Sequence, residues 1–209
     1  MAAIDWNREL KRLLKQYKGR KHPLDYRNRY QLLVMVILSA QDSDRHINAV
    51  APTFFATFPN MQALAKANDD ALLKALAGVR NARQKAGWLR GLATAVKQDR
   101  NIPKSMDELT ALPGIGRKSA NVILREIGAP AEGIMVDLHV VRVAPRLGIA
   151  IATDAKKLEE QLMEVIDRKL WSDVGMALSY LGRETCRPKN PQHDECVLSH
   201  VCAYCKARH

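Results

Sequence analysis

Apolar residues recur at helical spacing along almost the whole chain of 209 residues, and signals for paired strands are nearly absent. Trp6, Leu10, Leu13, Leu14 and Tyr17 fall on one helical face. Residues 30–40 (YQLLVMVILSA) are apolar all round, which predicts a central buried helix. Residues 69–77, 82–98 and 155–170 predict further amphipathic helices, the last capped by Thr153 or Asp154. Residues 172–181 predict one more, with Gly182 placed to end it. Only IMV at 134–136 reads as extended. The expected fold class is therefore all-α, with about ten short helices.

Charge narrows the possible partners. The formal net charge is +11, and 47% of residues are hydrophobic, a globular composition. Residues 1–22 hold seven basic and two acidic residues, and residues 78–104 hold seven basic residues against Asp99 alone. These two segments account for the whole excess. Each is either a solvated helix face or part of a phosphate-facing surface. No run approaches the roughly 20 apolar residues of a membrane span. MAAIDWNREL lacks the apolar core of a secretory signal, so a cytoplasmic protein is expected.

The segment 109–128, LTALPGIGRKSANVILREIG, reads as helix, tight turn, helix. Pro113 stops the first helix, and Gly114 and Gly116 permit a turn that Cβ atoms would obstruct. The second helix then points bare N–H groups and its positive dipole end outward, a ready site for a phosphate oxygen. This predicts a DNA-binding helix–hairpin–helix, with Arg117 as one more phosphate-contacting cation. Lys118, in the first turn of that helix, is either another such cation or a nucleophile. As a nucleophile it needs a free amine, which the helix end, Arg117 and partial burial would favour. Asp137 follows IMV and precedes a helical segment. It reads as an N-cap and, being rigidly aimed by that role, also as a catalytic carboxylate.

All four cysteines, Cys186, Cys196, Cys202 and Cys205, lie in the last 24 residues with the spacing C-x9-C-x5-C-x2-C. In a chain with no secretory signal this argues for a metal centre over disulfides. Four thiolates suit either Zn²⁺ or a [4Fe–4S] cluster, and the single short pair favours the cluster. His193 and His200 are spare ligands or ordinary surface histidines.

Together these residues resemble the endonuclease III family of DNA glycosylases with abasic-site lyase activity, in the helix–hairpin–helix superfamily. The resemblance runs from LLVMVILSAQDSD through LPGIGRKSANVI and VDLHVVRV to GRETC and the cysteine tail. It implies two helical domains: a six-helix barrel over 23–131, and 1–22 plus 132–209 carrying the cluster loop 186–205. Lys118 then corresponds to the Schiff-base nucleophile and Asp137 to the catalytic carboxylate. Gln41 corresponds to the residue that fills the gap left by an extruded base. Val79 and Arg80 lie where the family inserts a second wedge, in a loop of altered length. The implied partner is double-stranded DNA carrying oxidised pyrimidines or abasic sites, bound by a monomer. A glycosylase without lyase activity and a non-catalytic DNA-binding module are the competing readings.

Two departures from the family pattern stand out. The family cluster runs C-x6-C-x2-C-x5-C. Cys186, Cys196 and Cys202 match its first, third and fourth positions, but His193 occupies the second and Cys205 is extra. Cys205 is the preferred fourth ligand, with His193 as the alternative. Leu138 stands where the motif VDTH has Thr.

Overall fold

The structure, a computed structural model, describes residues 4–207. Among them are twelve α-helices: α1 (Trp6–Gln16), α2 (Arg29–Leu38), α3 (Asp44–Thr57), α4 (Met61–Ala65), α5 (Asp69–Ala75), α6 (Ala82–Val96), α7 (Met106–Thr110), α8 (Arg117–Glu126), α9 (Leu138–Leu147), α10 (Ala155–Val165), α11 (Trp171–Glu184) and α12 (Ala203–Lys206). Single 3-10 turns lie at Asp99–Asn101 and Arg168–Leu170. The described residues contain no strand. Ile134, Met135 and Val136 are buried in non-helical backbone. No helix among the described residues is long and apolar enough to cross a membrane.

The chain divides into two compact units, Lys21–Ala129 and Met1–Arg20 with Pro130–His209. The described structure of the second unit starts at residue 4 and stops at residue 207.

In the first unit α2 is the core element. Every side chain from Leu32 to Leu38 is buried, each contributing roughly 1.5–3 kcal/mol by leaving water. Asn28 starts the helix by accepting the Gln31 N–H at 2.9 Å. Helices α6 and α8 pack on α2, α4 on α6, and α7 on α8.

In the second unit α1 buries Trp6, Leu10 and Leu13, with Tyr17 just past its end, and packs against α11. Helix α11 also packs along α9. Asp154, not Thr153, caps α10, accepting the Lys156 and Lys157 N–H groups at 3.1 and 3.0 Å. That helix ends at Val165, five residues before the expected end. The reason is Asn7 on α1. Its amide donates to Val165 O at 3.3 Å and accepts the Asp167 N–H at 2.8 Å, taking over bonds that a further helical turn would make.

Gly182 does not end the helix, since α11 continues to Glu184. A Cβ there would lie 2.8 Å from His139 Cβ and 3.0 Å from Val143 Cγ2. The glycine serves the close approach of α11 to α9 rather than a left-handed cap.

Candidate active site and cysteine pocket

The expected hairpin is α7, a turn over 111–116, and α8. Gly114 has φ +79, which favours glycine, and a Cβ on it would meet the Trp88 ring at 2.9 Å. The turn is thus pressed onto α6. Gly116 plays a different part from the one expected. Its φ is −95, and a Cβ would meet nothing within 4 Å. It is the N-cap of α8 and, having no side chain, makes no side-chain cap bond. The positive end of the helix dipole lies at this turn.

Arg117 and Lys118 are both exposed. Burial holds the His22 imidazole below its ordinary value, and the nearby charge of Lys118 adds to that effect.

Gln41 follows the end of α2. It is exposed and left-handed, with φ 57. The loop 78–81 lies beside it in the same unit. Within that loop Val79 is buried while Arg80 and Asn81 are exposed, so the loop presents Arg80 and Asn81 to solvent rather than Val79. Asn81, also left-handed, is the N-cap of α6 but makes no cap bond. Its amide donates instead to Gln41 Oε1 at 3.3 Å.

Asp42 binds the same loop. Its Oδ2 accepts the Arg80 N–H at 3.0 Å, and its Oδ1 accepts from Ser43 N and His46 Nδ1, each at 2.8 Å. Burial raises the pKa of this carboxyl, but these donors outweigh it and hold the group below its ordinary value. Sequence reasoning misses both Asp42 and Asn81. Asp42 adjoins Gln41 in LSAQDSD, but nothing local marks it as a tie to residue 80.

Lys85 corrects the reading of the basic segment 78–104. It is 1% exposed and donates from Nζ to Leu38 O at 2.6 Å, at the C-terminal end of α2. Burial lowers its pKa. Unlike Arg80 and Arg83, which are both exposed, it cannot face a phosphate.

In the second unit Asp137 is the N-cap of α9, as expected. Its Oδ1 accepts the His139 and Val140 N–H groups at 2.9 and 3.0 Å. Its Oδ2 accepts the hydroxyl of buried Ser179, on α11, at 2.7 Å. Three donors thus fix the carboxylate's orientation. The neighbouring Leu138 is 70% exposed.

The cysteines gather at the end of the same unit. Cys186, Cys196, Cys202 and Cys205 are free thiols and line one small pocket, together with His193 and Tyr204. Cys202 and Cys205 are buried, and burial raises the thiol pKa of Cys196 and Cys202. Arg146 on α9 holds the loop. It donates to Arg187 O at 2.8 Å and Pro188 O at 3.1 Å, reaches Cys186 Sγ at 3.5 Å, and lies over the Tyr204 ring at 4.6 Å. The His193 ring stacks with Tyr204 at 5.8 Å, and its Nε2 is buried without a hydrogen-bond partner. His200 instead bonds Glu9 at 2.9 Å and so anchors the loop to α1. Among the described residues no three thiol, imidazole or carboxylate groups converge closely enough to hold a single metal ion.

The model of the HhH-GPD superfamily of base excision DNA repair proteins matches residues 34–168. Endonuclease III from Synechocystis sp. is 36% identical over 197 residues, which are 93% of this chain and 90% of the relative. Endonuclease III from Bacillus subtilis is 34% identical over 183 residues, 86% of this chain and 83% of the relative. Among solved structures, a non-covalent endonuclease III–DNA complex and a trapped endonuclease III–DNA covalent intermediate each align with a TM-score of 0.84 at 32% identity, covering 95% of this chain and 94% of the other. A thermostable thymine-DNA glycosylase aligns with a TM-score of 0.81 at 21% identity, and so shares the fold. These matches run along nearly the whole length, and the chain belongs to the endonuclease III family, within the HhH-GPD superfamily of base excision DNA repair proteins.

Proposed function

We propose that this chain is a bifunctional DNA glycosylase with abasic-site lyase activity, removing oxidised or ring-saturated pyrimidines from duplex DNA. One observation carries the reading: an exposed amine, Lys118, stands in the first turn of a helix whose N-cap is a glycine, in a family with a member trapped covalently on DNA.

The chemistry follows from the groups present. A base within a duplex is out of reach and has to be extruded, with Gln41 and the 79–80 loop filling the gap. The backbone N–H groups at the start of α8, with Arg117, bind a phosphate oxygen and set the sugar's register. The neutral Lys118 amine attacks C1′ as the bond to the base breaks, and the base leaves with the bonding electron pair. Asp137 stabilises the positive charge developing on the sugar and helps move protons. Ring opening gives an imine between Lys118 and C1′, which acidifies the C2′ proton. Loss of that proton expels the 3′ phosphate by β-elimination and cuts the strand on the 3′ side. Water then frees the lysine.

The unit Lys21–Ala129 is read as the six-helix barrel domain and the other unit as the cluster domain. Cys186, Cys196, Cys202 and Cys205 would hold a [4Fe–4S] cluster. The pocket lined by all four thiols, with a guanidinium beside Cys186, supports an anionic donor set of this kind. A single zinc ion needs its sulfurs about 2.3 Å from one centre, whereas a cubane takes each thiolate on a different iron and suits a wider ring. When bound, the cluster supplies a rigid cross-link for the loop. A role on chromosomal DNA fits a cytoplasmic, nucleoid-associated protein of bacterial or archaeal type.

Borohydride trapping on abasic-site duplex tests the nucleophile. Wild type forms a covalent adduct and Lys118→Ala does not, while an adduct surviving in Lys118→Ala overturns the assignment. For the cluster, the purified protein is brown and contains iron, and Cys205→Ser loses iron while His193→Ala keeps it. Stoichiometric zinc in a colourless protein overturns the reading.

A further inference from the structure

We propose that Asp42 is a positioning residue that locks the Gln41 turn and the 78–81 loop into one rigid gap-filling device. The inference rests on the reading of Gln41 and residues 79–80 as the elements that fill the space of the extruded base, and it adds how they are held.

Two ties join the two loops, and a third joins the helices beside them. Asp42 Oδ2 accepts the Arg80 N–H at 3.0 Å, the Asn81 amide donates to Gln41 Oε1 at 3.3 Å, and Lys85 Nζ donates to Leu38 O at 2.6 Å. Asp42 is the hub, because its other oxygen is held by Ser43 N and His46 Nδ1 at the start of α3. The His46 ring in turn lies against Gly78, where an added Cβ would sit 3.9 Å from Nε2. The carboxylate is 10% exposed, so solvent competes little for its lone pairs.

The backbone shows what the lock opposes. Gln41 and Asn81 are both non-glycine residues in the left-handed region, with φ 57 and 56. Such a conformation is unfavourable for an L side chain and persists only where its surroundings enforce it. Gln41 adjoins Asp42 itself, and Asn81 adjoins Arg80, whose N–H Asp42 holds. An unlocked pair of loops would have to be ordered when DNA binds, and that ordering cost would fall on the step that extrudes the base. An abasic site in single-stranded DNA has no partner strand to part from and no gap to fill, so its cleavage does not need the lock.

The test uses the full chain under single-turnover conditions on two substrates: a duplex carrying a ring-saturated pyrimidine, and a single strand carrying a preformed abasic site. Asp42→Ala is expected to slow base release from the duplex about tenfold and to leave single-strand cleavage within about twofold. Gln41→Ala is expected to slow base release from the duplex to a similar extent. Because Asp42 acts through the loops, the double variant is expected to be no slower than about twofold below the worse single variant. Asp42→Asn, which keeps one acceptor oxygen, recovers part of the duplex rate. If Asp42→Ala does not fold, Asn81→Ala removes the neighbouring tie and is read in the same way.

Asp42→Ala with normal duplex activity beside an impaired Gln41→Ala overturns the lock. Equal losses on both substrates, or multiplicative losses in the double variant, overturn it too, because Asp42 would then act on stability or by itself. Normal duplex activity in Gln41→Ala and Arg80→Ala together overturns the gap-filling reading underneath.

Discussion

The hydroxyl of Ser179 donates to Asp137 Oδ2 at 2.7 Å, so a buried serine on α11 sets the direction of the carboxylate that caps α9. The other two bonds to Asp137 come from backbone N–H groups and survive any side-chain change. Ser179→Ala therefore removes the one replaceable support. Hydrogen bonds to charged groups are worth about 1.5–3 kcal/mol, and part of this is expected as lost thermal stability. The rest is expected to slow base release about tenfold in single-turnover assays, with DNA affinity little changed. A variant with wild-type base release would show that α9 alone aims the carboxylate.

Lys85 and Arg83 are near neighbours on α6 and should respond in opposite ways. Charge reversal at Arg80 and Arg83 is expected to flatten the salt dependence of DNA binding, by about one unit of slope for each phosphate no longer neutralised. The same change at the exposed pair Lys156 and Lys157 is expected to leave the slope unaltered. Lys85→Gln is expected to cost about 1–3 kcal/mol of stability, since its Nζ satisfies the Leu38 carbonyl, and to leave the slope alone. Salt titrations of binding and thermal melts separate the two behaviours.

Two glycines inside helices give opposite signs. Gly182→Ala drives a Cβ into His139 and Val143, and overpacking of this kind costs about 1–3 kcal/mol. The melting temperature should fall by roughly 2–4 °C per kcal/mol for a chain of this size. Gly87→Ala, on the exposed side of α6 with nothing within 4 Å of the new Cβ, is expected to gain up to about 1 kcal/mol from helix propensity. Melts of the two variants against wild type check the contrast.

Glu9 gives the second unit an acid-sensitive anchor. His200 donates to its carboxylate, and with Arg8 and Arg12 this holds the group below the ordinary value of 4.5 against the opposing effect of burial. A carboxyl depressed in the folded state stabilises it above the unfolded value, and that contribution is lost as pH falls through the folded value. Wild type is thus expected to lose stability faster than Glu9→Gln as pH drops from about 5 to about 3, with chemical denaturation as the measurement. Parallel curves for the two proteins would remove Glu9 from acid unfolding.

Much of the fold is legible in the sequence because it is written locally. The apolar run of α2, the Pro-Gly turn before α8 and the capping role of Asp137 each depend on residues within a few positions of one another. What is not legible depends on phase or on distance. A tally of charge counts Lys85 as a surface cation and ignores its phase, which puts it on the stripe with Leu89, Leu92, Ala93 and Val96 that α6 buries. Gly182 looks like any helix-ending glycine until His139, 43 positions earlier in the chain, is packed against it. Ser179 and Asn7 act on groups 42 and 160 positions away, and no local pattern announces either.

Helix α1 leaves the ribosome before the unit Lys21–Ala129, yet it bonds to residues made long after that unit. Asn7 bonds at Val165 and Asp167, Glu9 bonds at His200, and Arg20, just beyond the helix, pairs with Glu184. During synthesis Lys21–Ala129 can fold while those partners are still unmade. Until they emerge, Leu10 and Leu13 have no surface of their own unit to rest on. The nascent chain therefore carries a sticky helix ahead of a finished unit, and a ribosome that pauses before His200 prolongs its exposure to chaperones and to other chains.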